Sequence, residues 1–516
     1  DLGPLLQGWV PTTERTTVWV TNNPYAKSLQ HLSYLVRYPH GCIEQTTSST
    51  RPLLFVSQLV DRVDPTLVST AKVGDMVQSG INRVLSMQTA SGGFSYWPGA
   101  VEPVAWGTAY ATHMLLDARK LKYPVPEDRL ESALTWLGNE LTQKEGKLGQ
   151  DDHYGQRAES YMHYVLASAG KGRKARVQAL VNTLEAGAKK TPLTGEQLED
   201  LYLLKAALWL SGDRRYEKDL RGPDLSPVTD ERKNNWSFYS DRRRRGMMLS
   251  TFQDLFGDAP EGEPLARMVA TALQSRTSAY YSTQELVWGI TGLGKRLQGT
   301  AASFTPPTLT AGGKALAPSP EKDARVSDRT WSLARASERA GLSLDMKDKG
   351  TGSVYLIVNS EGVRTTPEVK VGGQGLTLKR TWHSLDGTEL DLKSTPVKLA
   401  DLIYVQLEVT NTTGERIQNI ALVDRLPAGW EIENARLGRG GSVDWVSADE
   451  QWAADYVNVR DDRMEVFGAL QARETKKVVY AVRAVTAGSF TLPSAEAEAM
   501  YDSETWARES AGTVHA

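Results

Sequence analysis

Residues 38–47 of this chain read Tyr38-Pro39-His40-Gly41-Cys42-Ile43-Glu44-Gln45-Thr46-Thr47, and they include the only cysteine of the 516 residues. Gln45 follows Cys42 by three positions, so a tight turn can bring the thiol and the carboxamide together. Gly41 relieves steric crowding just before the cysteine, because glycine has no Cβ. Attack of the thiolate on the amide carbon releases ammonia and leaves an internal thioester. This acyl group is open to attack by amines, hydroxyls or water.

The segment Gly41-Cys42-Ile43-Glu44-Gln45 resembles the internal thioester motif of the α2-macroglobulin and complement superfamily. Its flanks, Tyr38-Pro39 and Thr46-Thr47-Ser48, resemble the bacterial members more than the animal members, which usually have glycine where Ile43 stands. The resemblance extends from about residue 22 to the end of the chain. It implies that Cys42 and Gln45 form the thioester bond and that Gly41, Ile43 and Glu44 shape the turn.

Two other interpretations of Cys42 depend on residue chemistry alone. A single cysteine is often a buried, inert thiol, since cysteine is among the most buried residue types. It is also the nucleophile of cysteine hydrolases, where a histidine activates it. His40 lies too close in sequence to assume such a pair, and no known protease signature surrounds Cys42.

Composition restricts the classes of function. The net charge of −2 gives no indication of a nucleic-acid partner. The run Arg242–Arg245 follows Ser240-Asp241, and this order predicts a capped helix start with a solvated face. One cysteine excludes an internal disulfide, and no apolar run is long enough to cross a membrane.

The chain begins at Asp1 without a recognisable signal peptide, so we expect a piece of a longer protein. The family resemblance implies a periplasmic location. It also implies that a lipid-modified cysteine upstream of this chain anchors the intact protein to the inner membrane. A functional link to a penicillin-binding protein that synthesises peptidoglycan is a further implication of the same resemblance.

Hydrophobic periodicity predicts a multidomain α plus β protein. Amphipathic helices with short loops dominate the first three hundred residues, whereas short alternating strands such as Ile403–Val409 dominate the last part. Around the cysteine, the pattern predicts one helix from Ala26 to Tyr38 and another from about Thr46 to Val60. Together with the resemblance, these patterns predict four regions: a linker and partial CUB-like strand region (1–21), an α/α-toroid thioester domain (22–300), the returning half of a CUB-like β domain (301–372) and a C-terminal macroglobulin-like β-sandwich of the immunoglobulin or fibronectin type (373–516).

The resemblance implies the C-terminal part of a protease trap that serves bacterial defence. In such a trap, cleavage of a bait segment exposes the thioester, and a lysine amine of the attacking protease then attacks the Gln45 acyl carbon. The Cys42 thiolate leaves, and the protease is covalently tethered. Each molecule makes one acyl transfer, so we expect an endopeptidase inhibitor and not an enzyme, with no cofactor or metal.

Two alternatives belong to other classes of protein. An α/α toroid can also carry a hydrolase, since fold does not determine function, and Asp151-Asp152-His153 is then the best polar cluster. A non-covalent interaction or scaffold module is the other alternative, because some bacterial relatives lack the cysteine. Some thioester proteins use a histidine to favour hydroxyls, but no motif assigns this role to His153 or His163. Amine preference is therefore expected.

A stored thioester needs protection from water. We expect the thioester corner of the helical domain to pack against the C-terminal sandwich. The resemblance implies that Tyr38 covers the bond, aided by a residue of the last domain. The candidates for that residue are Met500 and Tyr501, in the segment Glu498-Ala499-Met500-Tyr501-Asp502. The flexible thioether of methionine packs well against aromatic rings.

Overall fold

The computed structural model describes residues 1–38, 40–64, 67, 72–144, 156–226, 237–296, 305, 307–320, 329–347, 353–365, 369–392, 394–433 and 443–516. The chain divides into two compact units. The first unit comprises Asp1–Glu231 and Phe238–Pro367, and the second comprises Arg232–Ser237 and Glu368–Ala516.

The first unit is mainly helical. Its α-helices are α1 (Ala26–Leu29), α2 (Leu32–Val36), α3 (Ile43–Thr50), α4 (Leu53–Val56), α5 (Val60–Val63), α6 (Val73–Leu85), α7 (Ala105–Lys120), α8 (Glu127–Gln143), α9 (Glu159–Ser168), α10 (Lys174–Ala188), α11 (Gly195–Leu210), α12 (Glu217–Arg221), α13 (Asp241–Phe256), α14 (Glu263–Ala272) and α15 (Thr283–Arg296).

Six of these helices form a closed inner ring. Each packs on the next in the order α3, α7, α9, α11, α13 and α15, and α15 returns to α3. The outer helices α6, α8, α10 and α14 pack against members of this ring. Inner helices such as α7 and α13 are buried on nearly all sides, while α6 and α8 bury one apolar face. This arrangement is an α/α toroid, which confirms the predicted fold class.

Glycines permit the closest helix crossing in the ring. A Cβ added at Gly246 of α13 would lie 2.7 Å from the backbone nitrogen of Gly289 in α15 and 2.9 Å from the carbonyl carbon of Trp288. These distances are shorter than van der Waals contact, so only glycine fits at position 246. The backbones of α13 and α15 therefore touch directly.

The same unit contains a β region built from both sides of the helical segment. Its strands are β1 (Arg15–Thr21), β2 (Thr308–Ala311), β3 (Lys314–Ala315), β4 (Arg329–Ala334), β5 (Ser343–Asp345) and β6 (Tyr355–Glu361). Strand β1 lies between β4 and β6 and is antiparallel to both. A second sheet has the order β3-β2-β5. The helices are thus inserted between β1 and the strands that pair with it. The four domain boundaries stay a prediction, as does the CUB-like assignment.

The second unit is a β-sandwich, as the strand pattern predicted. Its strands are β7 (Gly372–Gln374), β8 (Leu376–His383), β9 (Leu402–Asn411), β10 (Ile417–Arg425), β11 (Trp430–Ile432), β12 (Tyr456–Val459), β13 (Arg463–Leu470), β14 (Thr475–Ala484), β15 (Ser489–Leu492), β16 (Glu496–Ala499), β17 (Asp502–Arg508) and β18 (Gly512–His515). One sheet has the order β12-β13-β10-β16-β17-β7, and the other has the order β11-β14-β9-β8. Strand β9 alternates between buried and half-buried residues, so its apolar face, with Val405, Leu407 and Val409, enters the core.

The prediction for Arg242–Arg245 was right about the cap and wrong about the exposure. Ser240 caps α13 by accepting a hydrogen bond from the backbone N–H of Arg243 at 3.1 Å. Arg243, Arg244 and Arg245 are nevertheless buried, because α13 belongs to the inner ring and is packed on every side. Arg243 pairs with Glu199 at 2.5 Å, which compensates the buried charge.

Two predicted helices near the thioester motif are shorter than expected. The predicted helix from residue 26 to residue 38 is divided into α1 and α2. Between them, the ring of His31 bonds the hydroxyl of Ser278 and the carbonyl of Leu273, so tertiary contacts interrupt the periodic pattern. The helix predicted from residue 46 begins earlier, at Ile43, and α3 ends before Pro52, which has no N–H to continue it.

Candidate functional site

Cys42 is the residue at which helix α3 begins. It occupies the N-cap position with extended backbone angles, φ −71° and ψ 173°. Its Sγ accepts a hydrogen bond from the backbone N–H of Gln45 at 3.5 Å and lies 3.2 Å from the carboxamide Oε1 of Gln45. Both residues are buried, Cys42 with 0% and Gln45 with 2% of its surface exposed. The thiol and the carboxamide therefore meet at a helix N-terminus, inside the protein.

The spacing of this pair follows from helix-capping geometry. In a capping box, the N-cap side chain accepts from the backbone N–H three residues later, and the side chain at that later position folds back toward the N-cap. Cys42 and Gln45 occupy these two positions, with sulfur in place of the usual hydroxyl oxygen. Starting the helix at Cys42 is thus sufficient to bring the two side chains together.

Neighbouring elements hold the turn in place. The backbone N–H of Ile43 donates to the carbonyl of Tyr96 at 2.9 Å. The side chain of Ile43 is fully buried and packs on α7, where a Cβ added at Gly107 would lie 2.9 Å from its Cγ2. A Cβ at Gly41 would lie 3.0 Å from Nη2 of Arg83. The small residue before Cys42 and the aliphatic residue after it both fit their surroundings.

Glu44 connects the start of α3 to the start of α15. Its carboxylate is fully buried and accepts hydrogen bonds from Ser48 at 2.5 Å, from Thr283 at 2.9 Å and from Gln284 at 2.6 Å. Ser48 also lies 2.9 Å from the hydroxyl of Tyr110. Burial, and then the negative charge of Glu44, raise the pKa of Tyr110 far above its usual value, so this hydroxyl stays protonated. Three donors thus compensate the buried charge of Glu44.

The polar network continues along the axis of the toroid beyond α3. Arg51 is fully buried, pairs with Asp117 at 2.8 Å and stacks its guanidinium 4.6 Å from the ring centroid of Trp288. Arg51 also lies 3.0 Å from Nε2 of His113. Burial, together with the positive charge of Arg51, lowers the pKa of His113 well below its usual value, so that the ring is neutral. This ion pair fixes α3 against α7 at the end of the helix remote from Cys42.

The predicted lock residues are distributed over both units. Tyr38, in the first unit, is half-buried, and its ring packs edge-on against His40, with 5.3 Å between the ring centroids. Met500 and Tyr501 are buried in the second unit, in the turn between β16 and β17. There the backbone N–H of Met500 donates to the carbonyl of Asn419 at 3.0 Å. The protective role of these three residues stays a prediction.

Of the two histidines to which no motif assigned a role, the structure describes His163. Asp151-Asp152-His153 lies outside the described residues. His163 is buried on α9, and desolvation lowers the pKa of His163 to about 4. Among the residues that the structure describes, no group of three or more His, Cys, Asp or Glu side chains could hold a metal ion. In the same part of the chain, no helix is both long and apolar enough to cross a membrane.

Sequence reasoning missed several residues that build this site. Thr283 and Gln284 begin helix α15 and bind Glu44 across the ring. Tyr96 follows a glycine-rich stretch, and its carbonyl binds the N–H of the residue after Cys42. Arg83 carried no sequence signal, because an exposed charged residue is ordinary on an amphipathic helix. Contacts between residues so distant in sequence appear only in the folded chain.

Comparisons with known proteins agree with this arrangement. Residues 19–164 match a family model described as the A-macroglobulin TED domain, and residues 375–504 match the bacterial alpha-2-macroglobulin MG10 domain. The alpha-2-macroglobulin of Xylella fastidiosa is 28% identical over 93% of this chain, and that of Escherichia coli K12 is 25% identical over 96%. The chain is a relative of the bacterial alpha-2-macroglobulins. It spans 29% of the length of each of these two relatives.

Solved structures of bacterial alpha-2-macroglobulins share the fold. The Salmonella alpha-2-macroglobulin reacted with methylamine superimposes with a TM-score of 0.78 at 24% identity, covering 99% of this chain and 32% of that chain. The native Escherichia coli alpha-2-macroglobulin, solved from domain MG7 to the C-terminus, gives a TM-score of 0.75 at 21% identity. It covers 99% of this chain and 79% of that one. The whole described architecture thus corresponds to the bacterial alpha-2-macroglobulin fold.

Proposed function

We propose that this chain carries the thioester of a protease trap, in which Cys42 and Gln45 form an internal acyl bond. The observation that carries the proposal is the contact between the Cys42 sulfur and the Gln45 carboxamide, 3.2 Å apart and buried at the start of α3. Bond formation joins the sulfur to the side-chain carbonyl carbon of Gln45 and releases ammonia. The proton of the thiol leaves with the ammonia.

The surroundings of the pair suit both storage and reaction. Burial keeps water away from an activated acyl group, which would otherwise hydrolyse. The N-terminus of α3 carries partial positive charge, which favours the negative charge that develops on sulfur when the bond breaks. The site thus protects the thioester at rest and assists the departure of the thiolate.

The trapping reaction is an acyl transfer to a lysine amine of the attacking protease. The amine nitrogen bonds to the Gln45 acyl carbon, the carbon–sulfur bond breaks, and its electron pair leaves on Cys42. The proton lost by the amine neutralises the thiolate or passes to water. The relatives named alpha-2-macroglobulin support this proposal, and a Salmonella relative was solved after reaction with methylamine. The product stays attached, so each molecule reacts once and is an inhibitor, not an enzyme.

The test is the reaction of freshly prepared protein with methylamine. We expect an intact mass lower than the sequence mass by one ammonia, and then the uptake of one methylamine with the release of one thiol per chain. Cys42→Ser should abolish all three observations. Gln45→Glu is the matched control, because it keeps the size of the side chain but has no ammonia to release.

A chain with a free thiol from the start, no amine uptake and an unmodified glutamine at position 45 would contradict the proposal. Peptide mapping separates this outcome from a bond lost during purification. Hydrolysis of a thioester leaves glutamate at position 45, whereas a side chain that never reacted is still glutamine.

The relationship to the bacterial family also supports a proposal about location and partners. We infer that the intact protein acts in the periplasm, held at the inner membrane by a lipid anchor outside this chain, near a penicillin-binding protein. Fractionation of cells that express the intact protein tests the location. Recovery of the protein in the cytoplasmic fraction alone would contradict it.

A further inference from the structure

Helix α6 places a positively charged side chain beside the candidate thioester. Gly80 of α6 packs so closely on α3 that an added Cβ would lie 2.0 Å from Oγ1 of Thr50. Arg83 lies three residues after Gly80 on α6. Its guanidinium nitrogen Nη2 would lie 3.0 Å from a Cβ added at Gly41. The close contact at Gly80 fixes α6 against α3, so the position of Arg83 next to the residue preceding Cys42 is determined by helix packing.

The segment that follows Arg83 lines the same turn. Residues 87–96 turn back toward residues 41–43. Within this segment, the backbone N–H of Ser95 donates to the carbonyl of Met87 at 3.0 Å. The next residue, Tyr96, accepts the hydrogen bond from Ile43 at 2.9 Å. Arg83 and Tyr96 thus both lie next to the backbone of residues 41–43.

The charge of Arg83 is available for interaction with a ligand. Its side chain is exposed, and within the described part of the chain no acidic side chain pairs with it. Arginine keeps its charge at all physiological pH values. The carboxylate of Glu44 does not offset this charge, because it is buried and accepts from Ser48, Thr283 and Gln284.

We propose that Arg83 is a specificity-determining residue of the thioester, and that it favours amines that carry or adjoin a carboxylate over amines that carry a second positive charge. The inference rests on the proposed function, because it concerns the nucleophile that opens the Cys42–Gln45 bond. A guanidinium next to Gly41, the residue before Cys42, attracts an anionic nucleophile that approaches the thioester and repels a cationic one. The amine bonds to the Gln45 carbon, the sulfur leaves with its electron pair, and Arg83 takes part in neither bond. On a protein target, the preferred nucleophile is a lysine flanked by aspartate or glutamate.

The experiment compares three small amines of similar size: glycine, ethanolamine and ethylenediamine. The rate constant for thiol release is measured with each amine in wild type, Arg83→Gln and Arg83→Lys. Lys72→Gln is the matched control. Lys72 immediately precedes α6, whereas Arg83 lies in its last turn, and each substitution removes one exposed positive charge.

At low ionic strength we expect the rate ratio of glycine to ethylenediamine, per unprotonated amine, to be roughly fivefold to tenfold higher in wild type than in Arg83→Gln. The ratio should stay high in Arg83→Lys and be unchanged in Lys72→Gln. Added salt should reduce it in wild type, because the Debye length is only about 8 Å at physiological ionic strength.

Two different failures can be told apart. If the intact mass shows the thioester but Arg83→Gln keeps the wild-type ratio of rates, the role of Arg83 is wrong and the proposed function stands. If freshly prepared wild-type protein has no thioester and peptide mapping finds glutamine at position 45, both proposals are wrong. Because Arg83 is exposed, Arg83→Gln should keep the wild-type circular dichroism spectrum.

Discussion

At the scale of single residues, Glu44 shows how a buried charge can position the Cys42–Gln45 pair. It follows Cys42 by two residues, and its hydrogen bonds to Thr283 and Gln284 join the first turn of α3 to α15. A buried carboxylate is tolerated only when donors surround it. The same donors therefore determine where the N-cap of α3, and with it the sulfur of Cys42, lies.

Replacement of Glu44 should test this positioning. Glu44→Gln puts an NH₂ group among hydrogen-bond donors, so buried donors lose their acceptor and the free energy of unfolding should fall by about 1–3 kcal/mol. Methylamine uptake should fall as well, because the start of α3 loses its attachment to α15. Urea denaturation and thiol release measure the two effects. Glu127→Gln, at an exposed ion pair with Arg119, is the control and should change stability by less than about 1 kcal/mol. Equal effects of both substitutions would argue against a positioning role.

His163 predicts a pH dependence of stability. The ring is buried, neither nitrogen has a hydrogen-bond partner in the described structure, and desolvation lowers the pKa of His163 to about 4. In the unfolded chain, histidine has its usual pKa of about 6.5, so the unfolded state binds the proton first as the pH falls. Stability should therefore decrease between about pH 6.5 and pH 4, by at most about 3 kcal/mol from this residue.

The substitution His163→Leu should remove that part of the pH dependence. We expect the variant to be at least as stable as wild type at pH 5, since an apolar side chain leaves no unsatisfied polar atom. Denaturant titrations at pH 7 and pH 5 provide the measurement. If the difference in unfolding free energy between the two pH values is the same in both proteins, His163 does not contribute to it.

At the scale of secondary-structure elements, the contact between α13 and α15 sets how tightly the inner ring closes. Gly246→Ala introduces a Cβ that would lie 2.7 Å from the backbone of α15, and the backbone cannot rotate away as a side chain can. We expect a loss of about 1–3 kcal/mol of unfolding free energy, measured by urea denaturation. Gly187→Ala in α10, where an added Cβ meets nothing within 4 Å, is the control. It should stabilise the protein by about 0.5–1 kcal/mol, since alanine is the better helix former. Stabilisation by both substitutions would show that α13 and α15 can separate without cost.

At the scale of the whole molecule, the predicted lock of the thioester draws on residues of both units. Tyr38→Gly and Met500→Ala should each accelerate the loss of the thioester in plain buffer, because water reaches an uncovered acyl group. Thiol appearance follows the reaction over time. Met464→Ala, which truncates another buried methionine of the second unit, is the control for a general loss of packing. Wild-type rates in both Tyr38→Gly and Met500→Ala would place the protection elsewhere.

Local sequence determined the elements and the Cys42–Gln45 pair. The spacing of Cys42 and Gln45 is a capping-box spacing, so the start of a single helix brings the two together. Helical and alternating apolar patterns likewise predicted an all-α region and a β-sandwich, because the period of each pattern shows which face of an element is buried. These features depend on residues close in sequence, and for that reason they were predictable. The toroid was implied by the family resemblance.

Only the tertiary structure decided which polar residues are buried and which residues surround the Cys42–Gln45 pair. Arg243, Arg244 and Arg245 have the composition of a solvated face, yet closure of the inner ring buries all three, with Arg243 and Arg244 beside acidic partners. Two of the three donors to Glu44, Thr283 and Gln284, lie about 240 positions away from it in the sequence, and Arg83 reaches Gly41 only because Gly80 lets α6 pack closely on α3. Helix packing brings residues distant in sequence together, and a local pattern does not specify that packing.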